Sequence, residues 1–192
     1  MRWWDELIML VLLNMFWALG QLLIVTGPPA TAVYYDMARR VYKGELWEPA
    51  DVWRSFKQLF WPAWRWGLLN GLVIGLILFN LLTYGNTPGT LWLLLRLLWG
   101  GVLIIWVILT FFYWPFWLAQ EDKSLKTTYA NCGRFLLLNP FPAVTLAVLG
   151  VVLLLLSLVT TLPFFLAVMG WLSLLGVTAV ETSLEMQTET EN

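Results

Sequence analysis

Long segments without charge dominate this sequence and restrict what it can fold into. Residues 7–26, LIMLVLLNMFWALGQLLIVT, contain no charged side chain, and neither do residues 66–84 and 141–180. Residues 91–118 contain a single charge, Arg96. A helix needs roughly 20 apolar residues to cross a hydrocarbon core that is about 30 Å thick. The chain is therefore predicted to be an all-α, multi-pass transmembrane helical bundle.

The number of spans depends on the last apolar block, which is about twice as long as one crossing requires. Pro163, in the segment TTLP, fits the first turn of a new helix. The block is therefore predicted to form two spans, with a four-span protein and a re-entrant final segment as the alternative. The five predicted spans are residues 7–26, 66–84, 91–118, 141–160 and 164–180, within one membrane domain over residues 1–181. Residues 182–192 are expected to form an acidic, disordered tail.

The composition supports a membrane location and argues against most kinds of catalysis. Hydrophobic residues make up 60% of the chain and charged residues 12%, against about 45–50% and about 25% in soluble domains. The 14 tryptophans fit a bilayer interface, where Trp is enriched. There is no histidine, and the single cysteine, Cys132, cannot form an internal disulfide. We expect no enzyme activity, no catalytic, cofactor or metal site, and no nucleic-acid partner.

A cleaved signal peptide is the rival interpretation of the N-terminus, because ATA at residues 30–32 resembles a cleavage site. The apolar segment is, however, longer than the roughly 7–15 residues of a signal sequence. Asp5 and Glu6 also accompany Arg2, so the preceding segment has no net positive charge. The first apolar segment is therefore predicted to remain as a span.

Lys and Arg residues predict the orientation, because they accumulate in cytoplasmic loops. The segment over residues 27–65 carries six of them, the segment over residues 119–140 carries three, and GNTPGT and TTLP carry none. With five spans, the N-terminus is predicted outside the cell and the C-terminus in the cytoplasm.

Both basic segments contain amphipathic patterns that predict interfacial helices. Gly27-Pro28-Pro29 ends the first span and fits a new helix start, after which apolar residues from Ala30 to Val41 share one face. A second such helix is predicted from Asp51, a candidate N-cap, and a third, weaker one before Pro140. They either anchor the bundle or contact anionic lipid or a cytoplasmic partner. The candidate contact residues are Arg39, Arg40, Lys43, Arg54 and Lys57.

Small and polar residues within the spans are candidates for helix packing. Gly67, Gly71 and Gly75 share one face of the second span, where another helix could approach closely. Asn14 and Gln21 share a face of the first span and are expected to hydrogen-bond to neighbouring helices.

Arg96 is the one charge inside a predicted span, which makes it a functional candidate. It lies close enough to the end of its span to extend towards the interface. We expect it to pair with Asp5 or Glu6 and to fix helix packing rather than to bind a ligand.

The layout resembles the YesL family of bacterial integral membrane proteins, which contain a domain of unknown function. The resemblance rests on GPPATAVYYDMARRVYKGE, SFKQLFWPAWRWGLLNG and FYWPFWLAQEDKSLKTTYANCGRFLLLNPFPAV, in that order along the chain. Pro29 and the acidic tail depart from the family's pattern. The resemblance implies a bacterial plasma-membrane protein with an accessory role in carbohydrate import, beside components of an ABC transporter. It supplies no catalytic residues.

The expected function is therefore that of a non-catalytic accessory protein linked to carbohydrate uptake. A small oligomeric transporter or channel is one alternative, with Asn14, Gln21 and Asn70 beside the glycine face as its lining. A membrane scaffold that binds anionic lipid is the other. The bilayer is the expected environment in each case, and a homo-oligomer is compatible with all three.

Overall fold

The structure, a computed structural model, describes residues 2–85, 87–160 and 167–191. Within these ranges the chain forms seven α-helices joined by short connections. The helices are α1 (Arg2–Leu22), α2 (Gly27–Tyr42), α3 (Pro49–Tyr84), α4 (Thr90–Ala119), α5 (Leu125–Leu138), α6 (Pro140–Thr160) and α7 (Val168–Glu191). The predicted all-α class is confirmed.

Three of the described helices are long and apolar enough to cross a membrane. They are α3, α4 and the Pro140–Ser157 part of α6. Among the described side chains, the apolar part of α1 covers Val11–Leu22. On length and composition, the molecule is a helical membrane protein.

The centre of the bundle is α2, which differs from the interfacial helix expected from the sequence. Val33 and Met37 are buried as predicted, but Ala32, Tyr35 and Ala38 are buried as well. Helices α1, α3 and α7 surround α2, and α4 contacts it too. Because it is enclosed on most sides, α2 is the core against which the other helices pack.

The start of α2 follows the sequence prediction. Prolines occupy its first turn, where the missing N–H leaves no hydrogen bond unmade and φ is already helical. The preceding turn is held by Thr26, whose hydroxyl donates to the carbonyl oxygen of Gly20 over 2.8 Å. Gly20 also gives α2 room, because a Cβ built there would lie 2.9 Å from that of Ala30.

The predicted amphipathic helix and the predicted second span form one continuous helix, α3. It begins after Glu48, with Pro49 in its first turn. Asp51 is therefore not the N-cap; it lies in the first turn, where its carboxylate accepts a hydrogen bond from the backbone N–H of Glu48 over 3.0 Å. Pro62 lies inside α3 without ending it. Its ring costs one backbone hydrogen bond, and packing of the neighbouring Ala63, which is fully buried, helps to keep the helix intact.

Helix α1 folds back antiparallel to α2 and contacts the first part of α3. Trp17 Nε1 donates to Thr31 Oγ1 over 3.0 Å, and the rings of Phe16 and Phe56 meet edge to face at 6.3 Å. The contact with Phe56 lies in the basic segment that precedes residues 66–84, the predicted second span.

The C-terminal residues are helical, whereas a disordered tail was expected from residue 182. Helix α7 continues to Glu191. Its extension contacts α2, because Arg39 pairs with Glu181 and Tyr42 OH lies 3.4 Å from the carboxylate of Glu185. Pro163, the predicted start of the last span, lies outside the described residues.

The second half of α3 and the first half of α4 form a hairpin with an apolar exterior. Leu72, Phe79 and Leu82 on α3 are at least two-thirds exposed, and Leu91 and Leu97 on α4 are nearly as open. A surface of this kind is stable in hydrocarbon and unfavourable in water. The hairpin is therefore a lipid-facing part of the molecule, distinct from the packed part around α2.

The close approach of α3 to α2 yields a testable prediction at Gly67. A Cβ built there would lie 2.9 Å from Cγ of Pro28, a rigid ring, whereas at Gly71 it would meet nothing within 4 Å. Gly67→Ala should lower the thermal unfolding midpoint in detergent, since overpacking typically costs about 1–3 kcal/mol. Gly71→Ala is the matched control and should leave the midpoint unchanged or raise it, because Ala favours a helix by about 1 kcal/mol over Gly. Equal effects of the two substitutions would contradict the packing described here.

Candidate functional site

The three glycines predicted to share a packing face have different surroundings. Gly67 packs against Pro28 at the start of α2. Among the described residues, a Cβ at Gly71 or Gly75 would meet nothing within 4 Å, and both glycines are exposed on the surface of the α3–α4 hairpin. Helix packing through Gly71 and Gly75 therefore stays a prediction, since none of the described residues packs against either glycine.

Asn14 lies at the contact between α1 and α7. Its side chain is fully buried, and its Oδ1 accepts a hydrogen bond from the backbone N–H of Met169 over 2.8 Å. Because α7 begins at Val168, this amide satisfies one of the N–H groups that a helix leaves unpaired in its first turn. The contact ties the beginning of α7 to the middle of α1.

Gln21 acts locally, within the turn between α1 and α2. Its Nε2 donates to the carbonyl oxygen of Gly27 over 3.1 Å and lies 3.4 Å from Thr31 Oγ1. The side chain thus closes the α1–α2 hairpin instead of sharing the neighbour that Asn14 contacts.

Arg96 stabilises the hairpin between α3 and α4. Its Nη1 donates to the carbonyl oxygen of Gly85 over 2.6 Å, immediately after the end of α3. A cation at this position satisfies a carbonyl at the C-terminus of the helix and interacts favourably with its dipole. The side chains of Asp5 and Glu6, the predicted partners, lie outside the described residues.

A polar cluster around Asn70 joins three helices inside the bundle. Asn70 Oδ1 accepts hydrogen bonds from Trp106 Nε1 over 2.9 Å and from Thr110 Oγ1 over 3.0 Å, both on α4. Asn70 Nδ2 donates to the hydroxyl of Tyr129 on α5 over 3.1 Å and to the carbonyl oxygen of Trp66 over 2.8 Å. All the hydrogen-bonding positions of the amide are therefore occupied.

Aromatic rings enclose this cluster. Tyr129 stacks on Trp106 at 4.9 Å between ring centroids and lies 5.0 Å from Tyr113. Trp66 continues the group, 5.6 Å from Trp114. Hydrogen bonds in so apolar a setting are costly to lose, so the cluster fixes how α3, α4 and α5 pack. Its geometry suits a structural role, since every polar atom of Asn70 already has a partner.

The basic residues predicted to meet lipid or a partner are largely engaged within the chain at the end of α2. Arg39 pairs with Glu181 of α7. Arg40 Nε lies 3.6 Å from Asp36 Oδ2, the same oxygen that accepts a hydrogen bond from Ser55 Oγ over 2.5 Å. These contacts join α2 to α3 and α7, and they reduce the charge available to an external anion.

The remaining three candidates lie at the start of α3 and just before it. Arg54 pairs with Asp51 over 3.0 Å, although the Arg54 side chain is 66% exposed. Lys57 Nζ lies 5.2 Å from the ring centroid of Trp53. Lys43 is exposed after the end of α2. Of the five candidates, Lys43, Arg54 and Lys57 are the ones most accessible to a ligand.

The connection between α4 and α5 contains further charged residues that the sequence did not single out, among them Asp122 and Lys123. Lys123 Nζ donates to the carbonyl oxygens of Trp117 and Leu118, over 2.6 and 3.1 Å, at the end of α4. Desolvation and the nearby charge of Arg39 lower the pKa of Lys123. Hydrogen bonds from Thr127 and Ser124 lower the pKa of Asp122. This connection is thus a pair of helix caps, one for α4 and one for α5.

Sequence reasoning missed most partners in these contacts. The sequence indicates Asn70 only as a candidate lining residue of a channel. It gives no link between Asn70 and Trp106, Thr110 or Tyr129. An Asn within an apolar span does signal a hydrogen-bonded contact, but its partners are 36 to 59 residues away in the sequence. A single sequence contains no pattern that identifies such pairs.

Loss of the Asn70 amide should destabilise the bundle. Asn70→Leu leaves the donors of Trp106 and Thr110 without their acceptor, and a buried polar group without a partner typically costs about 1–3 kcal/mol. Asn80→Leu is the matched control, because among the described residues Asn80 Nδ2 bonds only to the carbonyl of Leu76 in its own helix. We expect thermal unfolding in detergent to show a lower midpoint for Asn70→Leu alone. A similar drop in both variants would contradict a specific role of the cluster.

Comparison with known proteins matches part of the chain. Residues 10–84, which run from α1 to the end of α3, match the sequence profile of the family described as "Protein of unknown function, DUF624". No curated protein and no solved structure matches the chain. The match is consistent with the YesL-like resemblance in this part of the sequence, and its description assigns no activity.

Proposed function

We propose that this chain is a non-catalytic integral membrane protein that serves as an accessory subunit of a larger membrane assembly. The observation that carries the proposal is the open face of α3 at Gly71 and Gly75, where an added Cβ would meet no described residue within 4 Å. Small residues on a lipid-exposed helix let the backbone of another helix approach closely. A helix from another subunit fits this surface.

An importer of carbohydrates is the first candidate for that assembly. This part of the proposal rests on the YesL-like resemblance, which implies an accessory role beside ABC transporter components in a bacterial plasma membrane. The match of residues 10–84 supports the resemblance without bearing on the transport role.

The arrangement of the polar side chains favours an accessory role over a channel. Asn14 bonds to the start of α7, Gln21 closes the α1–α2 turn, and Asn70 joins α3 to α4 and α5. These amides lie at three separate contacts and bond within the chain. A conduit would instead need polar groups that face a shared, hydrated space.

We further propose that the C-terminus is cytoplasmic, as the Lys and Arg distribution predicts for five spans. The ion pair between Arg39 and Glu181 supports this assignment, because it keeps the basic end of α2 and the second half of α7 on the same side of the membrane. In the five-span topology the N-terminus is outside the cell.

A four-crossing topology with a cytoplasmic N-terminus is the second candidate, and one observation favours it. The contact of Phe16 with Phe56 places α1 beside the first part of α3. This part of α3 precedes the span over residues 66–84 and carries Arg54 and Lys57. An α1 that remains on the basic side would reduce the crossings to four.

The accessory role predicts that bulk on the glycine face disrupts assembly without unfolding the chain. The combined substitution Gly71→Leu and Gly75→Leu should remove transporter components from pull-downs in mild detergent, because the partner helix can no longer approach. Gly101→Leu, at another glycine with open space around it, should leave the pull-down unchanged. Repeated recovery of no transporter component by the natural chain, with sugar uptake unchanged in a deletion strain, would refute the proposal.

Cysteine labelling separates the two topologies. Cys132 is buried, so Cys132→Ser provides a background for single cysteines at Trp3, Thr87 and Glu189. A membrane-impermeant maleimide should label Thr87→Cys in intact cells, and Glu189→Cys only after lysis. Labelling of Trp3→Cys in intact cells supports five spans, and labelling only after lysis supports four. Labelling of Glu189→Cys in intact cells would overturn both.

A further inference from the structure

An apolar groove of about 340 Å³ separates α1 from the segment that leads into α3. Leu12 and Trp53, on opposite walls, have side chains that are 56% and 57% exposed. Residues that line the groove include Leu12, Leu13, Phe16, Trp47, Val52 and Trp53. An open apolar surface of this kind requires an apolar occupant or a hydrocarbon environment.

A positive charge lies at the rim of this groove. Lys57 Nζ is 5.2 Å from the ring centroid of Trp53, and its side chain is exposed. In the described part of the chain Lys57 forms no ion pair, whereas the neighbouring Arg54 pairs with Asp51. The groove therefore combines an apolar bed with one uncompensated cation.

This combination matches the chemistry of an anionic phospholipid. An acyl chain fits the apolar bed, and a phosphate beside Lys57 would balance its charge. The apolar surface also continues beyond the groove along α1, where Leu19 and Leu22 are 55% and 74% exposed. Tryptophans such as Trp47 and Trp53 are typical of the level where headgroups meet hydrocarbon. A water-soluble partner would leave the rest of this apolar surface uncovered.

We propose that the groove between α1 and α3 binds an acyl chain of one anionic phospholipid, whose phosphate contacts Lys57. The site does not depend on the accessory role, because its ligand comes from the membrane itself.

Native mass spectrometry of the full chain in mild detergent tests the site. The probes are dioleoyl phosphatidylglycerol, which is anionic, and dioleoyl phosphatidylcholine, which has the same acyl chains and no net charge. The natural chain should bind the anionic lipid more tightly. Lys57→Gln should lower that preference about fivefold, the effect of one surface cation on an anionic lipid, and should weaken phosphatidylcholine binding less, because the choline cation offsets the phosphate charge. Lys126→Gln removes an exposed cation on α5 and should change neither.

A second variant tests the acyl-chain part of the site. Val52→Trp fills the groove and should weaken the binding of both lipids, whereas Leu78→Trp, on an exposed part of α3, should not. Unchanged thermal unfolding midpoints show that each variant is folded. If Val52→Trp fails to fold, the proposal is tested by Lys57→Gln alone. The proposal is overturned if the natural chain binds the two lipids equally, if Lys57→Gln and Lys126→Gln have equal effects, or if a folded Val52→Trp binds both lipids normally.

Discussion

The burial of α2 is the constraint on which the rest of the structure depends. This helix is only 16 residues long, yet it contacts four other helices. Alanines at positions 30, 32 and 38, each at most 1% exposed, let those neighbours approach its backbone. Removing α2 would leave α1, α3 and α7 without the surface they share. A short helix that looks amphipathic in sequence is thus the hub of the bundle.

Three polar side chains within the bundle form hydrogen bonds where two elements meet. Asn14 accepts a hydrogen bond from the first turn of α7, and Arg96 donates one to the carbonyl that follows α3. Asn70 forms hydrogen bonds with side chains of α4 and α5. An unsatisfied polar group is costly in an apolar environment. A few amides and one guanidinium therefore specify which helices pair, while the surrounding apolar contacts are far less specific.

The sequence was sufficient for features that depend on local composition. The long apolar helices follow from uninterrupted hydrophobic runs, and the start of α2 follows from Gly27-Pro28-Pro29. It was insufficient where burial depends on distant parts of the chain. Ala32 and Tyr35 suit a buried or an exposed face equally well, so their burial in α2 could not be inferred.

The candidate site was predictable to a smaller degree than the fold. The polar residues inside the spans were identified by their type, but their partners lie far away along the chain. The partner of Arg39, for example, is 142 residues away. Helix α7 makes contacts of this kind as well, since Glu181 and Glu185 both meet α2. The acidic sequence by itself gives no reason to expect that these residues are helical.

The continuity of α3 has a mechanical consequence. A helix of 36 residues is about 54 Å long at 1.5 Å per residue, which exceeds the roughly 30 Å of the hydrocarbon core. One continuous helix therefore reaches from the loop beside Arg96, past Lys57, to Pro49. A helix of this length must tilt within the bilayer or extend beyond the hydrocarbon core.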